Sequence, residues 1–80
     1  MLDAIHTWDN PVIISLGGEQ VIVRTPAQAR NVLLLDWPAE RSDKHKIASG
    51  LCKAAMEGDD PGPSYWAFIE ATLEAGIFVK

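Results

Sequence analysis

Eighty residues leave room for one domain around one core, and a 48% apolar content with three tryptophans is enough to fill that core, which excludes a disordered chain. A formal net charge of −4 argues against non-specific binding to nucleic acid or to an anionic membrane surface. The single cysteine, Cys52, excludes an internal disulfide and fits a reducing compartment. No apolar run approaches the length of a membrane span. Met1–Trp8 carries no basic segment ahead of an apolar stretch, so no secretory signal is read and a cytoplasmic location is the expectation.

Residues 1–10 read as an arm, flexible or lying at a sheet edge, ahead of a single compact domain. Two β-branched runs, Val12–Leu16 and Glu19–Arg24, flank Gly17-Gly18 and predict a β-hairpin. In the second strand Val21 and Val23 share one face, and Gln20, Ile22 and Arg24 share the other. Thr25-Pro26-Ala27-Gln28 then gives a capping box with proline at the first helical position. Ala29, Leu33 and Trp37 fall four apart on one helical face, and Pro38 ends the helix near Asp36. Leu33-Leu34-Leu35 spans too much of the helix for all three to face the same core. One of Leu34 and Leu35 must therefore meet something else, a neighbouring helix or a partner.

A second helix is predicted from a Ser42 cap to about Glu57, with Ile47, Ala48, Leu51, Cys52, Ala55 and Met56 as its apolar set. Gly58 and Asp59-Asp60-Pro61-Gly62-Pro63 form a loop. A third helix runs from near Ser64 to about Ala75, with Tyr65, Phe68, Ile69, Thr72 and Leu73 inward and Glu70 and Glu74 outward. Ile77–Lys80 reads as a terminal strand joining the hairpin. The predicted fold is α+β, in the order β-β-α-α-α-β, with a small antiparallel sheet packed against three helices.

These residues, in this order, resemble the domain-of-unknown-function 982 family of small bacterial proteins. The matching features are Pro11-Val12, the strand pair ending at Val23, Ala29 four before Leu33, and Trp37-Pro38. Ala48 with Cys52, Ala55 and Gly58 follows, then Ala67-Phe68-Ile69, Ala71 and Ala75-Gly76-Ile77. The resemblance runs from about Trp8 to Val79. It implies a compact α+β bacterial protein with no assigned activity, so no catalytic or binding residue carries over. Where the family suggests a charged start to the third helix, this chain has Ser64-Tyr65-Trp66.

Few residues offer chemistry. Cys52 and His45 are the one nucleophile–base pair to consider; seven apart on one helix, they sit about 10.5 Å apart along its axis, beyond hydrogen-bond reach. Cys52 reads as a buried structural residue. His6 and His45 do not form a metal pattern, and Asp59-Asp60 lacks the alternating ligands of a calcium loop. Gly17-Gly18 is followed by a strand, whereas a phosphate cradle needs a helix. No catalytic, cofactor or metal site is expected.

Charge is unevenly placed. Residues 24–53 hold Arg24, Arg30, Arg41, Lys44, Lys46 and Lys53 against Asp36, Glu40 and Asp43, and both flanks are acidic. This basic middle reads either as self-complementary surface charge or as a patch for an anion or partner. Gly50 costs about 1 kcal/mol against alanine in a helix and falls beside Lys46 and Lys53. It marks either a close approach by a partner or anion, or close packing or simple tolerance. Trp66 sits at the border of its helix's apolar face, as a core edge or a binding hot spot. The sequence thus predicts a non-enzymatic interaction or regulatory module with a protein partner or a second copy, through Leu34, Lys46, Gly50, Lys53 and Trp66. The alternative is a small-ligand or anion binder using residues 41–53, with nucleic acid a weaker third reading.

Overall fold

A computed structural model describes residues 7–80. Strand β1 (Val12–Leu16) and strand β2 (Glu19–Val23) pair antiparallel, with Val12 opposite Val23 and Leu16 opposite Glu19. Gly17 and Gly18 both take positive φ, 58° and 86°, the two-residue turn whose twist matches that of the flanking strands. Val12, Ile14 and Val23 point inward and are buried, whereas Gln20, Ile22 and Arg24 are exposed, the predicted alternation.

Helix α1 (Pro26–Leu35) starts as the capping box requires. Thr25 Oγ1 accepts from Gln28 N at 3.1 Å. Gln28 Oε1 accepts in return from Arg24 N at 2.7 Å, one residue further back than the usual box. Helix α2 (Asp43–Met56) starts at Ser42, and helix α3 (Gly62–Glu74) starts two residues before Ser64. Helix α2 lies between α1 and α3. The inner face of the hairpin meets Ala29 and Leu33 of α1, Ala48 and Cys52 of α2, and Phe68 and Ala71 of α3 in one core.

Two helix faces differ from expectation. On α2 the buried residues are His45, Ala48, Cys52 and Ala55, while Ile47 and Met56 are exposed. On α3 they are Ser64, Phe68, Ala71 and Thr72, while Leu73 is exposed. A middle helix packed on two others needs small side chains at the contact. Small side chains thus take the contact positions of α2, whereas α3 also buries Phe68.

The arm expected at residues 1–10 falls partly outside the described residues, since 1–6 are not among them. Trp8 is a core residue. Its N–H donates to Arg24 O at 2.9 Å, and its ring lies 5.7 Å from that of Phe68.

The expected C-terminal strand is corrected: among the described residues the sheet has two strands. Residues 77–80 run beside β1 and make one isolated bridge, Ile14 to Phe78, with Ser15 N to Ile77 O and Val79 N to Ile13 O both at 2.8 Å. Pairing stops on either side for definable reasons. Ile77 N is taken by Thr72 O at 3.0 Å, and Gly76 N by Leu73 O at 3.1 Å, the pair of bonds that closes α3 with Gly76 at φ 76°. Ile77 therefore has no N–H left for Ser15. At the other end Ile13 N donates to Lys80 O rather than to the carbonyl of Val79.

Candidate functional site

The basic middle of the chain is partly consumed by the fold. An α-helix leaves its last carbonyls without partners. Four residues past Leu34 stands Pro38, which has no N–H to offer. Arg41 supplies the missing donor, its Nη2 reaching Leu34 O at 2.8 Å. His45 does the same for the neighbouring carbonyl: its Nε2 lies 2.7 Å from Leu33 O, and because a carbonyl only accepts, Nε2 carries the proton. Arg41, just before α2, and His45, in its first turn, thus close the end of α1, where the charge of Arg41 also suits the helix dipole. Lys44 is held at 3.3 Å by Glu70 across the α2–α3 groove, and Ser42 Oγ donates to the Glu74 carboxylate.

This placement leaves Cys52 and His45 no shared chemistry. The His45 ring is buried, bonded to Leu33 and tilted against Trp37 at 5.2 Å between centroids. Cys52 is fully buried, and burial pushes its thiol up to about 12, partly offset by the charge of Arg30. At neutral pH it is a thiol, not the nucleophilic thiolate. Among the described residues no group of three His, Cys, Asp or Glu side chains could hold a metal, and no helix is long and apolar enough to cross a membrane.

The five residues singled out in the sequence all lie on the helices and are all exposed, Trp66 at 65% and Leu34 at 37%. Lys46, Gly50 and Lys53 share the outward side of α2, as helical spacing requires. A Cβ on Gly50 would meet nothing within 4 Å, which removes close packing as its explanation. Leu34 sits on α1 next to Leu33, at the level of His45. On α3, Trp66 and Leu73 are seven residues apart and point the same way.

Sequence reasoning missed the exposure of Ile47 (57%), Met56 (44%) and Leu73 (56%), because apolar character was taken as the mark of burial. The exposed Lys44–Glu70 pair spans α2 and α3, and helical spacing puts Ile47 one turn from Lys44 on α2 and Trp66 one turn from Glu70 on α3. Four large apolar side chains, Ile47 and Met56 on α2 and Trp66 and Leu73 on α3, are exposed, and the outward side of α2 also carries Lys46 and Lys53.

A concavity lies at the start of α3 and shares Trp66 with that surface. Trp8 and Asp9 approach the helix start, where Asp60, Gly62, Tyr65 and Trp66 enclose a cavity of about 250 Å³. Trp8 Nε1 donates to Ser64 Oγ at 3.1 Å, and Ser64 Oγ donates to Pro61 O at 2.6 Å, so the indole is pinned. Tyr65 stands edge-on to both tryptophans, 5.4 Å and 75° from Trp8 and 5.0 Å and 80° from Trp66.

Residues 10–79 match the family described as protein of unknown function, DUF982. The chain belongs to the DUF982 family. The match spans everything from the residue before Pro11 to Val79 and so includes the hairpin, all three helices and the bridging tail. No curated protein and no solved structure is significantly similar to the chain.

Proposed function

We propose that this bacterial DUF982 protein is a non-enzymatic docking module of the cytoplasm. It would bind a protein partner, or a second copy of itself, through the solvent face of its helices. The observation that carries this reading is the exposure of Trp66, Leu73 and Ile47 on the outer face of α2 and α3, beside Lys46, Gly50 and Lys53. Exposed apolar side chains gathered on one face, rimmed by charge, mark docking surfaces more often than isolated ones do. The burial of Cys52 and the structural bond of His45 support a role without catalysis. The wider reading, an anion or small ligand held at residues 41–53, draws support from the open space over Gly50 between two lysines. It is weakened because Arg41 and Lys44 already serve the fold.

The test is a pull-down from host lysate with nuclease present, run with the wild-type chain and with Ile47→Lys plus Leu73→Lys, alongside sedimentation of the purified chain. The expected result is a partner, or a dimer, that the wild type forms and the variant loses. A monomer with no partner, or a partner retained by the variant, would overturn the reading. The anion alternative predicts thermal stabilisation by phosphate-bearing metabolites, about 2.7 kcal/mol at a hundred times Kd.

A further inference from the structure

We propose that the cavity between Trp8 and the start of α3 is a binding site for a compact organic cation of the quaternary-ammonium type. Its aromatic walls are Trp66, Tyr65 and Trp8, and its countercharge comes from Asp9 and Asp60. This site shares Trp66 with the proposed docking surface, but the inference does not rest on that reading.

Its volume, about 250 Å³, admits a trimethylammonium group. Two of its walls meet Tyr65 at near right angles, so the rings form a corner rather than a stack. A cation seated in a corner meets more than one ring, and the electron-rich faces of tryptophan attract cations most strongly. The walls are unequal. Trp8 is 5% exposed and pinned through Ser64, whereas Trp66 is 65% exposed. One wall is thus preorganised, and the other has the freedom to close over a ligand.

Charge selects the sign of the ligand. Among the described residues the lining includes two carboxylates, Asp9 and Asp60, and no lysine or arginine. The start of α3 points its positive dipole end into the same space, which alone would favour an anion. Asp60 answers it: its Oδ1 accepts from Gly62 N at 3.0 Å, placing a full negative charge against the partial positive one. The chain's net charge of −4 favours cations at longer range as well. A carboxylate or phosphate ligand would face both aspartates. A neutral ligand of the same shape would gain the apolar contact but neither the ring electrostatics nor the carboxylates. A small metal ion would lose water to ring faces that do not coordinate it.

The chemistry has two sources, a free trimethylammonium compound or a trimethylated lysine side chain on another protein. The test titrates the full chain with choline, with its neutral isostere 3,3-dimethylbutan-1-ol, and with a peptide bearing trimethyl-lysine against its unmodified form. Tryptophan fluorescence and the indole N–H signals in NMR report occupancy at low ionic strength. The expected result is that choline or the methylated peptide binds at least tenfold more tightly than its neutral or unmodified counterpart. It should also shift the indole signals of Trp8 and Trp66. Preference for choline would assign a free ligand, and preference for the peptide a protein-borne one. Trp66→Leu, an exposed change that keeps apolar bulk, and Asp9→Asn should each weaken cation binding at least threefold. Equal binding of the isostere, unchanged binding by Trp66→Leu, or no binding of either cation at millimolar concentration would overturn the assignment.

Discussion

Replacing His45 tests how α1 is closed. The imidazole is 3% exposed and its Nε2 stands 2.7 Å from the Leu33 carbonyl. His45→Leu keeps most of the volume against Trp37 but removes the donor, leaving a buried acceptor unpaired. Such a loss costs about 1–3 kcal/mol. A chain of this size holds only about 4–12 kcal/mol in total. Taking about 2 kcal/mol, the midpoint of thermal unfolding should fall by about 8–16 °C. His45→Gln carries an amide nitrogen near the Nε2 position and should lose less than half as much. Urea unfolding followed by circular dichroism reads both variants, with an unchanged m-value confirming that the native state is intact. If His45→Leu proved as stable as His45→Gln, the carbonyl of Leu33 would not depend on this donor, and the capping argument would fail.

Gly50→Ala should raise stability by about 1 kcal/mol, because the site is exposed, helical and open above the Cα; a loss of stability would mean that something unseen approaches there. Gly76→Ala should cost about 1 kcal/mol or more, since alanine resists a φ of 76°. The amides of Ile13 and Ser15, bonded to residues 80 and 77, should then exchange faster than the rest of the sheet, and uniform exchange would contradict that coupling. Cys52 should resist thiol reagents in the native protein at neutral pH. Its folded pKa of about 12 lies above the unfolded value of 9.0. The contribution is therefore fully present below pH 9 and is lost as pH rises toward 12. At pH 10 the wild type should have lost about 1 kcal/mol more than Cys52→Ala, and parallel pH curves would refute the buried thiol.

The hairpin and α1 were legible because local chemistry decides them. Gly17-Gly18 admits one kind of turn, Thr25-Pro26 starts a helix and Pro38 forbids its continuation. The inward faces of α2 and α3 were legible in part: Ala48, Cys52, Ala55, Phe68 and Thr72 are buried as their spacing predicts, but Ile47, Met56 and Leu73 are not. Their contacts are set by how closely the helices approach, which selects Ala48, Cys52, Ser64 and Ala71 and turns Ile47 and Leu73 outward. Trp8 lay in a segment without periodicity; its signal is only its size, and its partner, Ser64, is 56 residues away. Arg41 was legible as a charge and His45 as a candidate base, but neither as a cap. That role depends on a carbonyl which Pro38 leaves without a donor, and on α2 folding back alongside α1. The terminal strand was read from three apolar residues after Gly76, but the helix cap claims the amide that a regular ladder needs. Exposure of Leu34, Lys46, Gly50, Lys53 and Trp66 could be anticipated from spacing; which of them lie near one another depends on the order of the helices.

The most direct test of docking through the helices is a residue-resolved footprint. Isotope-labelled chain would be placed in concentrated host extract and its NMR spectrum compared with that in buffer. Docking through the outer face predicts selective broadening of Ile47, Lys46, Lys53, Leu73 and the Trp66 indole, with the outward hairpin residues Gln20 and Ile22 unaffected. A spectrum unchanged in extract, or broadening centred on the hairpin with the helices sharp, would contradict it.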